Sequence, residues 1–209
     1  MAIDDLLDEH EQSERVLQWL RRNGAGLIGG IALGLAAIGG WKWWENHQVQ
    51  QQAQIANQYQ AALDAIEAKD KGAEAKVKAL GQNTYHTLAA LRLAQSQVVA
   101  NQRDAAIATL RSIQSEDPAI AEIVNLRLAR LLIDAKQADA GLKLLATAST
   151  PTAIAVRGDA QLALGQRAKA QEAYTQAMTK LDVASPQRRL LELKLTEAGG
   201  SPVKPEAKS

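Results

Sequence analysis

Two hydrophobic patterns divide the chain. From Gly24 to Trp41 there are 18 residues without a charge, GAGLIGGIALGLAAIGGW, close to the roughly 20 that cross a bilayer core at about 1.5 Å per residue. Beyond Glu45 the apolar positions recur every three or four residues, at Val49, Ala53, Ala56, Tyr59, Leu63 and Ile66. That is the period of an amphipathic helix continuous with the apolar run. No alternation of the kind that marks strands occurs. The pattern predicts an all-α protein with a single N-terminal transmembrane helix followed by soluble helices.

The flanks of the run support a membrane span. Arg21 and Arg22 close one end, and Trp41, Lys42, Trp43 and Trp44 close the other, which places snorkelling cations and amphipathic rings at headgroup depth. A buried core helix rarely needs seven glycines. A cleaved signal peptide would have a short basic leader and a small-residue cleavage site, whereas here an acidic stretch precedes the run and tryptophans end it. Arg15, Arg21 and Arg22 lie before the span and only Lys42 closely follows it, so the count of positive charges expects the N-terminus inside.

On a 3.6-residue helix, Leu27, Ile28, Ile31, Leu35 and Ile38 fall within one arc of about 100°. Most of the remaining circumference is glycine and alanine. Gly26, Gly30 and Gly34 repeat every four residues, as do Ala32, Ala36 and Gly40. Such a surface lets a second helix approach closely, and close packing is what associates helices in lipid. The six leucines and isoleucines of the span supply only about −2 to −4 kcal/mol of insertion drive, so a neighbouring helix would add to a marginal anchor. The same glycines spell GxGxxG at Gly24, Gly26 and Gly29, but the dinucleotide fingerprint needs a preceding strand and a βαβ unit, and neither is predicted.

Small residues also punctuate the soluble part. Ala68, Ala100, Ala135 and Gly165 recur at intervals of 32, 35 and 30, each followed five residues later by an alanine: Ala73, Ala105, Ala140 and Ala170. These offsets resemble a tetratricopeptide repeat, in which one small residue allows the turn between two helices and another lets them close together. The last copy, with Gly158, Leu162, Gly165, Ala170, Tyr174 and Ala177, is the clearest. Asp117-Pro118 and Thr150-Pro151 are helix openings. A stack of such hairpins is a TPR-like α-solenoid, whose concave side takes polypeptide segments. Asn125 and Asp159 are the candidate groove residues.

Composition adds exclusions. With 24 Lys+Arg against 23 Asp+Glu and no cysteine, neither a basic nucleic-acid surface nor thiolate, disulfide or redox chemistry is expected. Alanine at 40 positions favours packed helices. His10, His47 and His86 have no metal-ligand spacing and are expected as surface polar residues. Arg127 with Arg130, and Arg188 with Arg189, are read as solvated helix faces. With no nucleophile elbow and no phosphate loop, no catalytic, cofactor-binding or metal residue is assigned, and the expectation is a non-enzyme.

Several ungapped stretches carry a resemblance. Gly40-Trp41-Lys42-Trp43-Trp44 with His47-Gln48-Val49, Asn83-Thr84-Tyr85, Asn125-Leu126-Arg127-Leu128-Ala129-Arg130 and Lys136-Gln137-Ala138-Asp139-Ala140 resemble the YfgM family, ancillary subunits of the Sec translocon. The resemblance implies a bacterial inner-membrane protein with a cytoplasmic N-terminus and a periplasmic tetratricopeptide domain. It further implies association with the SecYEG channel and with a membrane-anchored periplasmic chaperone of the prolyl-isomerase-like class, and transfer of emerging polypeptides to periplasmic chaperones. The expected organisation is an acidic tail over 1–22, the span over 23–44, the repeat domain over 45–196 and a disordered tail over 197–209. The alternative expectation is a self-associating membrane-anchored scaffold, a homo-oligomer made through the same glycine face without the translocon.

Overall fold

The computed structural model describes residues 2–201, with side chains from Ser13 onward. Among these residues nine α-helices follow one another and no strand occurs: α1 (Ala2–Glu67), α2 (Ala73–Ala79), α3 (Thr84–Val99), α4 (Arg103–Arg111), α5 (Pro118–Asp134), α6 (Ala138–Leu144), α7 (Pro151–Ala163), α8 (Arg167–Thr179) and α9 (Pro186–Glu197). The apolar run and the amphipathic stretch after it are one helix. The chain divides into two compact units between Gln54 and Ile55. Residue 45, the boundary expected from sequence, marks the end of the tryptophan cluster; the first buried residue of the packed unit is Ala62.

The helical unit is built on one recurring turn. Lys69, Asn101, Lys136 and Gly165 have left-handed backbone, with φ of 54°, 58°, 63° and 74°. At each, that residue's amide returns to the carbonyl three positions back and the next amide to the carbonyl five back: Asn101 to Val98 and Gln102 to Gln97, Lys136 to Ile133 and Gln137 to Leu132, Gly165 to Leu162 and Gln166 to Gln161. This closure satisfies the last carbonyls of one helix and reverses the chain into the next. A left-handed lysine costs roughly 1–2 kcal/mol that glycine avoids, so packing must hold Lys69 and Lys136 in place.

The register differs from the expected one by a residue. Ala68, Ala100 and Ala135 sit just before the left-handed residue; only in the last copy is the expected turn residue, Gly165, the left-handed one. The closing position moves only in the two middle copies: Ala106 and Gly141 are buried while Ala105 and Ala140 are half-buried, and Ala73 and Ala170 keep their predicted places. Seven residues before each left-handed position stands another small buried residue: Ala62, Ala94, Ala129 and Gly158. The reason is steric. A Cβ on Gly158 would lie 2.6 Å from the Tyr174 ring, and one on Gly141 would lie 3.0 Å from the Ala129 carbonyl.

Openings are capped as the sequence indicates. Pro118, Pro151 and Pro186 stand in the first turns of their helices. The Asp117 carboxylate accepts from the Ala119 and Ile120 amides and the Thr150 hydroxyl from the Ala153 amide, which pairs helix-start amides that would otherwise lack partners.

Apolar residues pack in successive layers that share helices. Ala62 and Ile66 of α1 meet Val77 of α2 and Ala89 and Leu93 of α3. The other side of α3, at Leu91 and Ala94, meets Leu110 of α4 and Leu128 and Leu132 of α5. Ala129 and Val156 join α5 to α7, and Ile154, Tyr174, Leu191 and Leu195 join α7, α8 and α9. Each helix pair is stabilised by its neighbours, the arrangement of a solenoid. The expected disordered tail starts too early at 197. Ala198 is 1% exposed, its carbonyl accepts from Gln171 Nε2 at 2.7 Å, and Gly199 and Gly200 close α9 with the same turn. Residues 202–209 lie outside the described residues.

Gly158→Ala should destabilise the helical unit by about 1–3 kcal/mol, the usual effect of overpacking. Gly165→Ala, with open space around it but positive φ, should cost about 1 kcal/mol. Urea unfolding followed by circular dichroism measures both, and an unchanged midpoint for Gly158→Ala would contradict the close approach of α7 and α8.

Candidate interaction surfaces

The first surface lies on α1, the one helix among the described residues long and apolar enough to cross a membrane. None of its 18-residue apolar window is buried, unlike that of a core helix. Gly26, Gly30, Gly34 and Gly40 have no atom within 4 Å of an added Cβ, and Ala32 and Ala36 are exposed beside them. Ile28, Ile31, Leu35 and Ile38 are also exposed. At the N-terminal end Arg21 and Arg22 are exposed. At the other end the Trp41 and Trp44 rings meet edge to face with centroids 6.4 Å apart, and Trp43 stacks on His47 at 5.8 Å. Lys42 approaches Glu45 at 3.6 Å. A row of unpartnered glycines between aromatic girdles lets a second helix approach to backbone distance.

The second surface belongs to the helical unit. The Tyr174 ring, fully buried, donates its hydroxyl to Asp159 Oδ1 at 2.8 Å. Lys194 Nζ sits 2.7 Å from Oδ2 of the same carboxylate. Burial first, then the adjacent Asp159 charge, raises the Tyr174 pKa far above its ordinary value, so the hydroxyl remains a donor. Asp159 therefore ties α7 to α8 and α9 and does not offer a free carboxylate to a groove. Asn125, the other expected groove residue, is half-buried on α5, and among the described residues its side chain makes no hydrogen bond.

A cleft between α3 and α5 has no counterpart in the residue spacing. These helices meet mainly through α4, whereas α5 also packs directly on α7. The opening holds about 250 Å³ and is lined by Leu91, Ala94, Gln95, Val98, Leu110, Arg127, Arg130 and Leu131. Arg127 and Arg130, exposed as expected, stand on its rim. Arg188, in contrast, is turned inward and donates to the Met178 carbonyl at 3.1 Å.

His86 also departs from expectation. It is 5% exposed, its amide is capped by Asn83 Oδ1 at 2.9 Å, and its Nδ1 has no hydrogen-bond partner. It reads as polar in sequence, but the cap at Asn83 fixes α3 so that position 86 faces inward. Glu74 and Lys78, paired at 2.7 Å, line the same small cleft. His47 is exposed as expected, and His10 lies outside the described side chains. Among the described residues no three His, Asp or Glu side chains gather as a metal site.

Comparison with known proteins matches this geometry to a family. The tetratricopeptide repeat-like domain family matches residues 17–200. The ancillary SecYEG translocon subunit of Escherichia coli (strain K12) is 35% identical over 197 residues, covering 90% of this chain and 95% of that protein. The chain belongs to the family of ancillary SecYEG translocon subunits. The member from Haemophilus influenzae (strain Rd) is 28% identical over 82% of this chain and 89% of its own length, and that from Aggregatibacter actinomycetemcomitans is 24% identical over 90% and 97%. Among solved structures, a Podosopora anserina chain of nearly identical TPR-like repeats, described as of kinesin light chain type, superposes with a TM-score of 0.51. It covers 69% of this chain and 84% of that one at 17% identity, a likeness of fold alone. The helical-repeat architecture of the matched domain family is present here.

Burial lowers the His86 pKa from its ordinary value of 6.5. A base that protonates less readily when folded leaves the unfolded chain holding more protons below that value. Stability is then fully present above about pH 6.5 and falls on acidification toward the folded pKa, by at most about 1.4 kcal/mol per pH unit. Urea midpoints between pH 7 and pH 5 should show this slope, and His86→Leu should remove it; an identical slope in the variant would place its origin elsewhere.

Proposed function

We propose that the protein is a non-enzymatic, single-pass inner-membrane subunit that joins the Sec translocon through α1 and binds polypeptide with its repeats. The observation that carries this reading is the uncovered glycine and alanine face on α1, bounded by Arg21 and Arg22 on one side and Trp41, Trp43 and Trp44 on the other. Family membership supports the partner, since the relatives are named for SecYEG. The excess of arginine before the span over lysine after it supports a cytoplasmic segment 1–22, a span at 23–44 and a periplasmic repeat domain over 45–196. In that compartment the repeats receive translocated chains and pass them to the chaperone network, including a membrane-anchored chaperone of the prolyl-isomerase-like class. The work is done by binding, and no cofactor or metal enters it.

Both readings, the scaffold and the translocon, draw on the glycine and alanine rows of α1. Replacing Gly30 and Ala36 with leucine adds side chains where backbones must meet. Affinity purification of full-length protein from native membranes in mild detergent should recover the channel with the native chain and lose it with Gly30→Leu/Ala36→Leu, while the repeat unit keeps its helical spectrum. Unchanged recovery would remove the docking role, and recovery of the native protein with itself alone would favour the scaffold.

A further inference from the structure

The cleft between α3 and α5 has an apolar floor and a cationic rim. Leu91 and Leu110 form its base, with Val98, 43% exposed, and Leu131 at its sides. Its volume, about 250 Å³, suits one leucine- or phenylalanine-sized side chain. Leu88 and Ile123, one turn back on α3 and α5, are each 44% exposed and extend the apolar surface along both helices. Apolar surface of this kind, rimmed by polar groups, marks an interaction site more often than isolated exposed residues do.

The rim selects the sign of the partner. Arg127 and Arg130 are exposed, and among the described residues neither guanidinium makes an ion pair or hydrogen bond. No carboxylate lines the cleft. The two arginines are one helical turn apart, so their like charges repel, and an arriving carboxylate relieves that repulsion while both of its oxygens accept from a planar donor fork. The geometry points to a segment of another polypeptide in which glutamate or aspartate flanks a large aliphatic or aromatic side chain. The aliphatic group enters between α3 and α5, and the acids pair with Arg127 and Arg130. This assignment rests on the reading that the repeat domain binds polypeptide, and it adds the class of sequence that one part of the domain prefers.

The test uses full-length protein in mild detergent and fluorescence anisotropy with a labelled peptide carrying two leucines flanked by glutamates. The same peptide with glutamines or with lysines in those places serves for comparison. The glutamate peptide should bind at least about tenfold more tightly than the lysine peptide, and the preference should weaken as salt is raised. Arg127→Glu/Arg130→Glu should weaken the glutamate peptide by a similar factor and improve the lysine peptide. Both arginines are exposed and unpaired, so the variant should keep the native unfolding midpoint. It should also still recover the translocon from native membranes, because α1 is intact. Equal affinity for all three peptides, or no response to the double substitution, overturns the acidic preference even where translocon recovery persists. Loss of translocon recovery from the native chain itself would instead overturn the functional reading on which it rests.

Discussion

Helix backbones come close only where side chains are missing, and this steric condition governs the whole chain. In the helical unit it appears as Ala62, Ala94, Ala129 and Gly158, each placed seven residues before a left-handed turn. The turn brings the next helix back at an angle that needs the gap: the Tyr174 ring occupies the space where a side chain at position 158 would be. Once the pairs are closed, the larger residues that remain, among them Leu110, Leu132, Leu145 and Ile154, fill the spaces between pairs and join one layer to the next. On α1 the same condition is left unmet, because the glycines there face nothing in the chain. A soluble repeat domain uses small residues to pack against itself; a membrane helix with the same feature and no internal partner has its packing still to make.

The architecture could be read from the sequence because it rests on local patterns. An uncharged 18-residue run, a three-and-four spacing and proline after a capping residue each act over a few positions, and each appears where expected. The repeat register was harder. In alanine-rich helices neighbouring alanines are interchangeable by composition, so Ala105 and Ala106 are not distinguished until the left-handed residue is located. Lys136 is unmarked for that role, whereas Asn101 and Gly165 are residue types that tolerate left-handed backbone. A closer signal was present in the glutamine that follows each of those three residues, at Gln102, Gln137 and Gln166, where the next helix is about to begin.

Sites that depend on distant helices were less legible. Asp159 looks like a groove residue until Lys194, 35 positions away, is found against it. His86 looks solvent-facing until the cap at Asn83 fixes the rotation of α3. The cleft at Arg127 and Arg130 exists because α4 separates α3 from α5, a fact about the packing of three helices that no spacing within one of them contains. The bulky-versus-small division of the span, by contrast, follows from helical period alone and needed no tertiary information.

The proposed function divides between two surfaces: the glycine and alanine rows of α1 for a membrane partner, and the repeat unit for polypeptide. On that proposal the small-residue face of α1 touches the translocon. Photo-crosslinking tests this most directly, with a photoreactive amino acid placed in native membranes at Gly30 or Ala36 on one face and at Ile31 or Leu35 on the other. Adducts with a channel subunit are expected from the first pair of positions and few from the second. Adducts of equal yield from both faces, or adducts only between copies of this chain, would contradict the proposal.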